Sequence, residues 1–291
     1  MAIVLGGNRY GKAEVRLVRI DRDGEEHRIT DLNVSVALSG DMADTHLSGA
    51  NDKVLATDTQ KNTVFAFARD GIGSIEDFAL RLARHFVDSQ ESIHFARVAI
   101  EQYSWSRLAV DGEPARHSFS RSGDGTRTTV VSYDGERSWA LSGITDLTVL
   151  NSTDSEFWGF PRDQYTTLPE TKDRILATAV NATWRHATTD DVDWEASYRD
   201  ARQNLLEAFA ATYSFSLQQT LYAMGERVLQ HVPGIAEVRL SLPNKHHFLT
   251  DLTPFGLDNP GEVFYAADRP YGLIEGTVLR DDAPPAGPAW D

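Results

Sequence analysis

The sequence contains no cysteine, and this absence removes several kinds of chemistry at once. Without thiols there is no disulfide, no thiolate-bound metal and no cysteine nucleophile. Long apolar runs are also missing, since none approaches the ~18–20 residues that a membrane-spanning helix requires. Residues 1–7 are too short for a signal peptide and lack a basic leader. These features predict a cytoplasmic protein that does not enter a membrane.

Positive charge is scarce in this chain of 291 residues. Lys and Arg total 28 against 43 Asp and Glu, which gives a formal net charge of −15. Such a surface repels the phosphate backbone and argues against nucleic-acid binding. A small anionic substrate would therefore need a locally positive pocket.

The pattern of apolar residues predicts strands, helices and strands, in that order, in each half of the chain. In the first half a helix follows the capping box of Ser74 and Asp77. In the second half one helix is predicted over residues 194–211, and another begins at Ser216 with Gln219 completing its capping box. The strands are predicted at residues 15–20, 32–38, 93–105, 117–121, 128–133, 143–150, 174–185, 236–242, 262–265 and 272–279.

Grouped helices favour an α+β fold with antiparallel sheets and helices packed on one face, rather than a parallel doubly wound sheet. The repeated pattern predicts a first domain over residues 1–140 and a second over residues 141–280. Residues 281–291 are rich in Asp and Pro, so we expect a disordered tail.

The sequence contains no complete form of three common functional motifs. Residues 6–13 approach a phosphate-binding P-loop, but no Ser or Thr follows Lys12, and a strand pattern comes next where a P-loop requires a helix. The nine histidines show no His-x-x-x-His spacing, which favours a protein without a bound metal. No Gly-x-Ser-x-Gly nucleophile motif is present.

A series of short segments resembles the urate oxidase (uricase) family over roughly residues 10 to 280. Each segment is weakly specific by itself, whereas all of them in this order form a strong resemblance. The end of the chain lacks a Ser-Lys-Leu-type peroxisomal address, so the bacterial, cytoplasmic branch is the closer match. The segments are Tyr10-Gly11-Lys12, Ala56-Thr57-Asp58, Lys61-Asn62-Thr63, Phe157-Trp158-Gly159-Phe160, Asp173-Arg174-Ile175-Leu176, Leu217-Gln218, Leu242-Pro243-Asn244-Lys245-His246-His247-Phe248 and Ala267-Asp268-Arg269-Pro270-Tyr271-Gly272-Leu273-Ile274.

The resemblance implies a fold and an activity. The fold is a pair of tandem tunnelling-fold (T-fold) domains, and four chains assemble into a hollow barrel with active sites at subunit interfaces. The activity is oxidation of urate by O2 and water to 5-hydroxyisourate and hydrogen peroxide in purine catabolism, with no cofactor.

Phe157 and Arg174 are the first substrate-binding candidates. An aromatic ring can stack on the purine for roughly 1–3 kcal/mol, and a planar guanidinium can hold two acceptor atoms, as lysine cannot. Residue preferences alone would favour a core phenylalanine. For Arg174 they would favour a surface ion pair with Asp173 or Glu170.

Further substrate contacts are implied at the start of a helix. Gln218 falls in the first turn after Ser216, where free N–H groups and partial positive charge suit an anion. Its amide can read a carbonyl and an N–H of the ring, although simple surface exposure is the alternative. By the resemblance, Leu217 and Asp58 would each contribute a backbone N–H, and Asn244 would hold oxygen and then water above the ring.

The catalytic residues implied by the resemblance are Lys12, Thr57 and His246. Lys12 and Thr57 would come from one subunit, and its neighbour would supply Phe157, Arg174, Gln218 and His246. Thr57 would relay a proton between water and Lys12. Histidine suits such a relay because its ordinary pKa lies near neutrality. The alternatives are an exposed Lys12, a Thr57 that forms a turn and a histidine paired within the core.

Three rival functions remain open. A T-fold protein that only binds a purine or pterin would keep Phe157, Arg174 and Gln218 without needing Lys12, Thr57 or His246, and the presence of all six argues against it. A zinc-dependent pterin or GTP hydrolase would need a ligand set of histidines or cysteines. A purely structural barrel would bind no purine.

Overall fold

The computed structural model describes residues 1–267 and 269–291, so Asp268 of the last family-like segment lies outside the described residues. The chain divides into two compact units. Unit 1 comprises residues 1–143, 184–198 and 284–291, and unit 2 comprises residues 144–183 and 199–283. This division places residues 184–198 and 284–291 in unit 1. The sequence pattern assigns the first of these segments to the second domain and the second to the tail. Within the described ranges, no helix is long and apolar enough to cross a bilayer.

Unit 1 is an antiparallel sheet covered by helices. Its strands pair in the order β1-β2-β3-β4-β5, and the first four pair antiparallel. The two strands predicted over residues 117–121 and 128–133 form one long strand, which follows its partner across two register shifts. The elements are β1 (Tyr10–Asp21), β2 (Arg28–Gly40), α1 (Ala43–Leu47), α2 (Thr57–Arg69), α3 (Ile75–Asp88), β3 (Ile93–Val110), β4 (Glu113–Tyr133) and β5 (Ser138–Asn151).

Unit 2 repeats the combination of sheet and helices. Strands pair in the order β5-β6-β7-β10, while β8 and β9 form a separate two-stranded sheet. Strand β5, strand β6 (Leu176–His186) and helix α4 (Trp194–Ala211) each contribute residues to both units. The elements are β6 (Leu176–His186), α4 (Trp194–Ala211), α5 (Leu217–His231), β7 (Ile235–Pro243), β8 (His246–Leu249), a 3-10 helix (Thr253–Phe255), β9 (Phe264–Ala267) and β10 (Leu273–Leu279).

The predicted α+β class is confirmed by this architecture, in which the sheet is antiparallel and the helices are few. The capping box at the start of α3 is also confirmed. The Ser74 hydroxyl oxygen accepts a hydrogen bond from the Asp77 backbone N–H at 3.1 Å. Phe78, Leu82 and Phe86 follow at helical spacing and are completely buried, because they face the sheet at β3 and β4.

Residues 284–291, most of the tail for which composition predicts disorder, belong to unit 1. A 3-10 helix spans Gly287–Trp290, and Ala289 is buried. The Arg97 guanidinium donates to the Ala289 carbonyl at 3.3 Å. A buried side chain and a paired backbone group hold this segment, and proline content alone does not reveal either contact.

A buried network of charged and polar groups ties α3 to the sheet of unit 1. Glu76 is completely buried, and its carboxylate accepts hydrogen bonds from Arg127 at 2.8 Å and Ser142 at 2.7 Å. Arg127 also donates to both carboxylate oxygens of Glu195 at 2.8 Å. Burial raises the pKa of Glu76, and burial lowers the pKa of His186, beside Ser142, to about 3. Each charge therefore depends on its partner for solvation.

We expect Arg127→Met to destabilise the protein by about 3–5 kcal/mol, because it leaves the buried Glu76 carboxylate without its cation. Urea unfolding at neutral pH measures this loss. Arg22→Met is the matched control at an exposed position and should change stability by less than about 0.5 kcal/mol. A loss no larger than that of the control would contradict the role of this network.

Candidate functional site

A cavity of about 600 Å³ in unit 2 collects most of the predicted substrate-binding residues. Its lining includes Phe157, Arg174, Leu217, Gln218, Asn244 and His246. The rest of the lining is largely apolar and was not predicted, because most of these side chains lie outside the family-like segments. It includes Leu168, Pro169, Phe248, Leu249 and Phe264.

Phe157 stands in a loop that is held by backbone hydrogen bonds. Its N–H donates to the Thr171 carbonyl at 2.8 Å, and the Thr171 N–H donates back at 3.0 Å. One side of the loop carries the stacked ring of Phe160, with centroids 5.0 Å apart and planes 14° apart. Phe157 is half-buried, so it belongs to the cavity wall and not to the closed core that residue preferences favoured.

Arg174 lies at the same wall, with its guanidinium oriented by a hydrogen bond. Its Nε donates to the Ser155 hydroxyl oxygen at 3.1 Å, and the guanidinium carbon lies 5.3 Å from the centroid of the Phe157 ring. Burial lowers the pKa of Arg174, yet arginine remains charged in proteins. The cavity therefore contains a fixed, partly desolvated cation.

The ion pairs that sequence reasoning left open for Arg174 do not form. The Asp173 carboxylate accepts a hydrogen bond from Thr153 at 2.8 Å, and the Glu170 carboxylate accepts one from the Gly159 N–H at 3.0 Å. Both acids thus stabilise the loop. Among the described residues, the Arg174 side chain hydrogen-bonds only through Nε, so its two terminal nitrogens can bind an anion in the cavity.

The start of α5 forms a second polar wall. The predicted capping box is confirmed, because the Ser216 hydroxyl accepts from the Gln219 N–H at 3.2 Å and the Gln219 side chain accepts from the Phe215 N–H at 2.8 Å. Leu217 and Gln218 occupy the first two helical positions, whose N–H groups have no intrahelical acceptor. The positive end of the helix therefore faces the cavity.

Asn244 and His246 join the cavity from the segment that follows β7. The Asn244 N–H donates to the Gly272 carbonyl at 2.8 Å, and His246 opens β8 opposite Ala267. Burial lowers the pKa of His246 from 6.5, and the charges of Arg174 and His247 lower it further. His246 is therefore neutral near pH 7, so one ring nitrogen is free to accept a proton.

Lys12, Thr57 and Asp58 lie in unit 1 and are not among the described residues that line this cavity. Lys12 stands on β1 just before a bulge, while Thr57 and Asp58 open α2. The pKa of Asp58 is lowered chiefly by its hydrogen bond and charge contact with Lys61, and to a lesser degree by the charge of Lys12. Unit 1 therefore brings Lys12 close to the start of α2.

Helix α2 was not predicted, and Thr57 begins it instead of forming a turn. Its N-cap is Ala56, which has no side chain able to cap, so the usual start signal is missing. A weaker signal exists in the buried positions Gln60, Val64 and Ala68, which recur every four residues. Because Gln60 is polar, the buried face of the helix does not appear in the sequence as an apolar stripe.

Known proteins share both the sequence and the fold of this chain. The family profile described as Uricase matches residues 8–132 and 140–275. A uricase of Arthrobacter globiformis is 53% identical over 288 residues, which cover 99% of this chain and 94% of that protein. A uricase of Dictyostelium discoideum is 39% identical over 277 residues, which cover 94% of this chain and 96% of that protein.

Solved structures agree with these sequence matches. The crystal structure of uricase from Arthrobacter globiformis superimposes with a TM-score of 0.94 at 53% identity, covering 100% of this chain and 99% of the other. The urate oxidase of Bacillus sp. TB-90 superimposes with a TM-score of 0.81 at 24% identity, covering 94% of this chain and 100% of the other. At this lower identity the likeness concerns the fold alone.

We expect the pKa of His246 to lie below 6.5. Arg174→Ala should raise this pKa only part of the way toward 6.5, because burial is the larger cause of the shift. NMR titration of histidine-labelled protein measures both midpoints, with the signal assigned from His246→Gln. Lys172→Ala removes a cation that contacts Trp158 and is the control that should change nothing. An identical midpoint in Arg174→Ala and the parent would refute the electrostatic contact.

Proposed function

The chain belongs to the uricase family, and we propose that it is a urate oxidase that converts urate, O2 and water to 5-hydroxyisourate and hydrogen peroxide. The observation that carries this proposal is the cavity of unit 2, where an aromatic face, a guanidinium and a helix N-terminus converge. These groups complement the flat urate anion.

Urate contacts both polar walls of the cavity. Phe157 stacks on the purine face, and the two terminal nitrogens of Arg174 donate to neighbouring acceptor atoms of the ring. Leu217 donates its backbone N–H, and the Gln218 amide pairs with a carbonyl and an N–H of urate. Stacking thus fixes the plane of the purine, and the hydrogen bonds fix its orientation within that plane.

Oxygen occupies the space above the ring beside Asn244 and His246. The apolar side chains of the cavity wall, such as Phe264, keep this part of the pocket dry. Removing water strengthens the electrostatic contacts within the cavity and protects reactive intermediates from hydrolysis. Asn244 first holds O2 and later the water that attacks the oxidised ring.

Lys12 and Thr57 of one subunit complete the cavity of its neighbour in a tetrameric barrel of tandem T-fold domains. The division of the chain into two units, each with strands and helices, supports the tandem domains. Helix α2 packs against β1 within unit 1, so Lys12 and Thr57 stand on neighbouring elements. The Asp58 backbone N–H then meets urate from the same side.

The reaction begins with removal of a proton from the urate monoanion by the relay of Lys12 and Thr57, aided by His246. The dianion gives one electron to O2, and recombination of the two radicals at carbon 5, with return of one proton from the relay, yields a hydroperoxide. Water then displaces hydrogen peroxide and leaves 5-hydroxyisourate. Both electrons come from the purine, and the atoms balance, so the proposed route requires neither a cofactor nor a metal.

The first experiment adds chelator-treated protein to urate in air-saturated buffer. Ultraviolet absorbance, an oxygen electrode and a peroxide assay follow the reaction. We expect equal molar losses of urate and oxygen with a matching gain of peroxide. Binding of urate without oxygen uptake, in folded protein, would favour a purine-binding module instead, and activity lost only with chelator would identify a metal-dependent enzyme.

The second experiment tests whether two chains share each site. Lys12→Met should cut turnover by orders of magnitude because it removes the proton relay, and Arg174→Ala should weaken binding at low urate concentration. Mixed tetramers, formed by dissociation and reassembly, should recover roughly a quarter of the parent activity. The reason is that about one site in four combines an intact Lys12 from one chain with an intact Arg174 from its neighbour.

A mixture of Lys12→Met with Thr57→Ala is the matched control, since both changes lie in unit 1. Every site in that mixture keeps one defect, so no activity should return. No recovery in verified mixed tetramers of the first pair would place the whole site within one chain. Recovery in the control would instead show that Lys12 and Thr57 come from different subunits.

A further inference from the structure

Three buried hydroxyl side chains connect the two polar walls of the unit 2 cavity. Ser155, Ser214 and Thr220 are all completely buried, and none is among the described residues that line the cavity. They belong to two separate parts of the chain. Ser155 precedes the loop of Phe157, whereas Ser214 and Thr220 flank the start of α5.

Backbone hydrogen bonds fix these two parts side by side. Ser155 and Ser214 form an isolated parallel bridge. On either side of this bridge, the Glu156 N–H donates to the Ser214 carbonyl at 2.8 Å, and the Ser214 N–H donates to the Asp154 carbonyl at 2.9 Å. The segment before Phe157 therefore cannot move independently of the segment that enters α5.

The side chains extend this bridge into each wall. The Thr220 hydroxyl donates to the Ser214 hydroxyl oxygen at 2.8 Å, and the Ser214 hydroxyl donates to the carbonyl of the N-cap residue Ser216 at 3.1 Å. On the other side, Arg174 donates two hydrogen bonds to Ser155. Its Nε donates to the Ser155 hydroxyl oxygen at 3.1 Å, and its backbone N–H donates to the Ser155 carbonyl at 2.9 Å.

We propose that Ser155, Ser214 and Thr220 are positioning residues that set the separation between the Arg174 guanidinium and the N-terminus of α5. We call them the hydroxyl bracket. A rigid planar substrate held from two walls tolerates only about 0.5 Å of misplacement, so this separation controls affinity for urate. The inference rests on the proposed function.

The chemistry of the bracket fits this role better than simple filling of space. A buried hydroxyl costs free energy unless it is hydrogen-bonded, and alanine or valine would fill the same sites without that requirement. Ser155, moreover, directs Nε of Arg174 away from the cavity. This contact leaves the outer edge of the guanidinium for the ligand.

The test uses Ser155→Ala and Thr220→Val, which remove hydroxyls at opposite ends of the bracket. Equilibrium dialysis with urate under anaerobic conditions gives Kd without turnover, and assays in air give KM and kcat. We expect Kd and KM to rise about tenfold, as for one lost hydrogen bond to a charged group, while kcat at saturation changes by less than about twofold.

Two further variants separate positioning from stability. Thr220→Ser keeps the hydroxyl and should restore Kd to the parent value. Thr129→Val removes an equally buried hydroxyl bond in unit 1, from Thr129 to the Leu141 carbonyl at 2.7 Å. It should lower the melting temperature without changing Kd.

Each outcome decides one question. A parent protein that neither binds nor oxidises urate overturns the proposed function itself. A parent that binds urate, combined with folded Ser155→Ala and Thr220→Val variants whose Kd stays within about twofold of it, overturns the positioning role. Equal losses of affinity in Thr129→Val would also overturn it, because they would reflect general destabilisation.

Discussion

The close approach of α5 to its sheet is the constraint on which the cavity of unit 2 depends. A Cβ atom added at Gly225 would lie 2.6 Å from a methyl group of Val278, and one added at Gly276 would lie 2.8 Å from a methyl group of Leu221. Both distances are shorter than a normal Cβ contact, so a side chain at either glycine would force Val278 or Leu221 to shift. This contact fixes the axis of α5 and with it the direction of its free N–H groups.

Arg127 of unit 1 and Arg174 of unit 2 have opposite electrostatic surroundings. In unit 1 the Arg127 guanidinium contacts Glu76 and Glu195, so its charge is neutralised where it is buried. In unit 2 the pKa of Arg174 is lowered by burial alone, and its guanidinium contacts a hydroxyl and an aromatic ring. A partly desolvated cation of the second kind attracts an anion, which is notable in a chain of net charge −15.

Local patterns were sufficient wherever one stretch of chain carried the whole signal. The caps at Ser74 and Ser216 each consist of residues three apart, and the predicted helix over residues 194–211 matches α4 residue for residue. Helix α2 was missed because Ala56 cannot cap and its buried stripe includes Gln60. The packed C-terminus was missed because its partner, Arg97, stands far away in sequence.

The sequence by itself determined the fold class, the family and six of the residues around the cavity, because each rests on residue types in a fixed order. Only the tertiary structure decided that Arg174 has no carboxylate partner in the described part of the chain, that Phe157 lies in a cavity wall, and that Lys12 and Thr57 are not among the described residues lining that cavity. These are matters of distance between segments far apart in the chain. Packing sets such distances, and no local pattern records them.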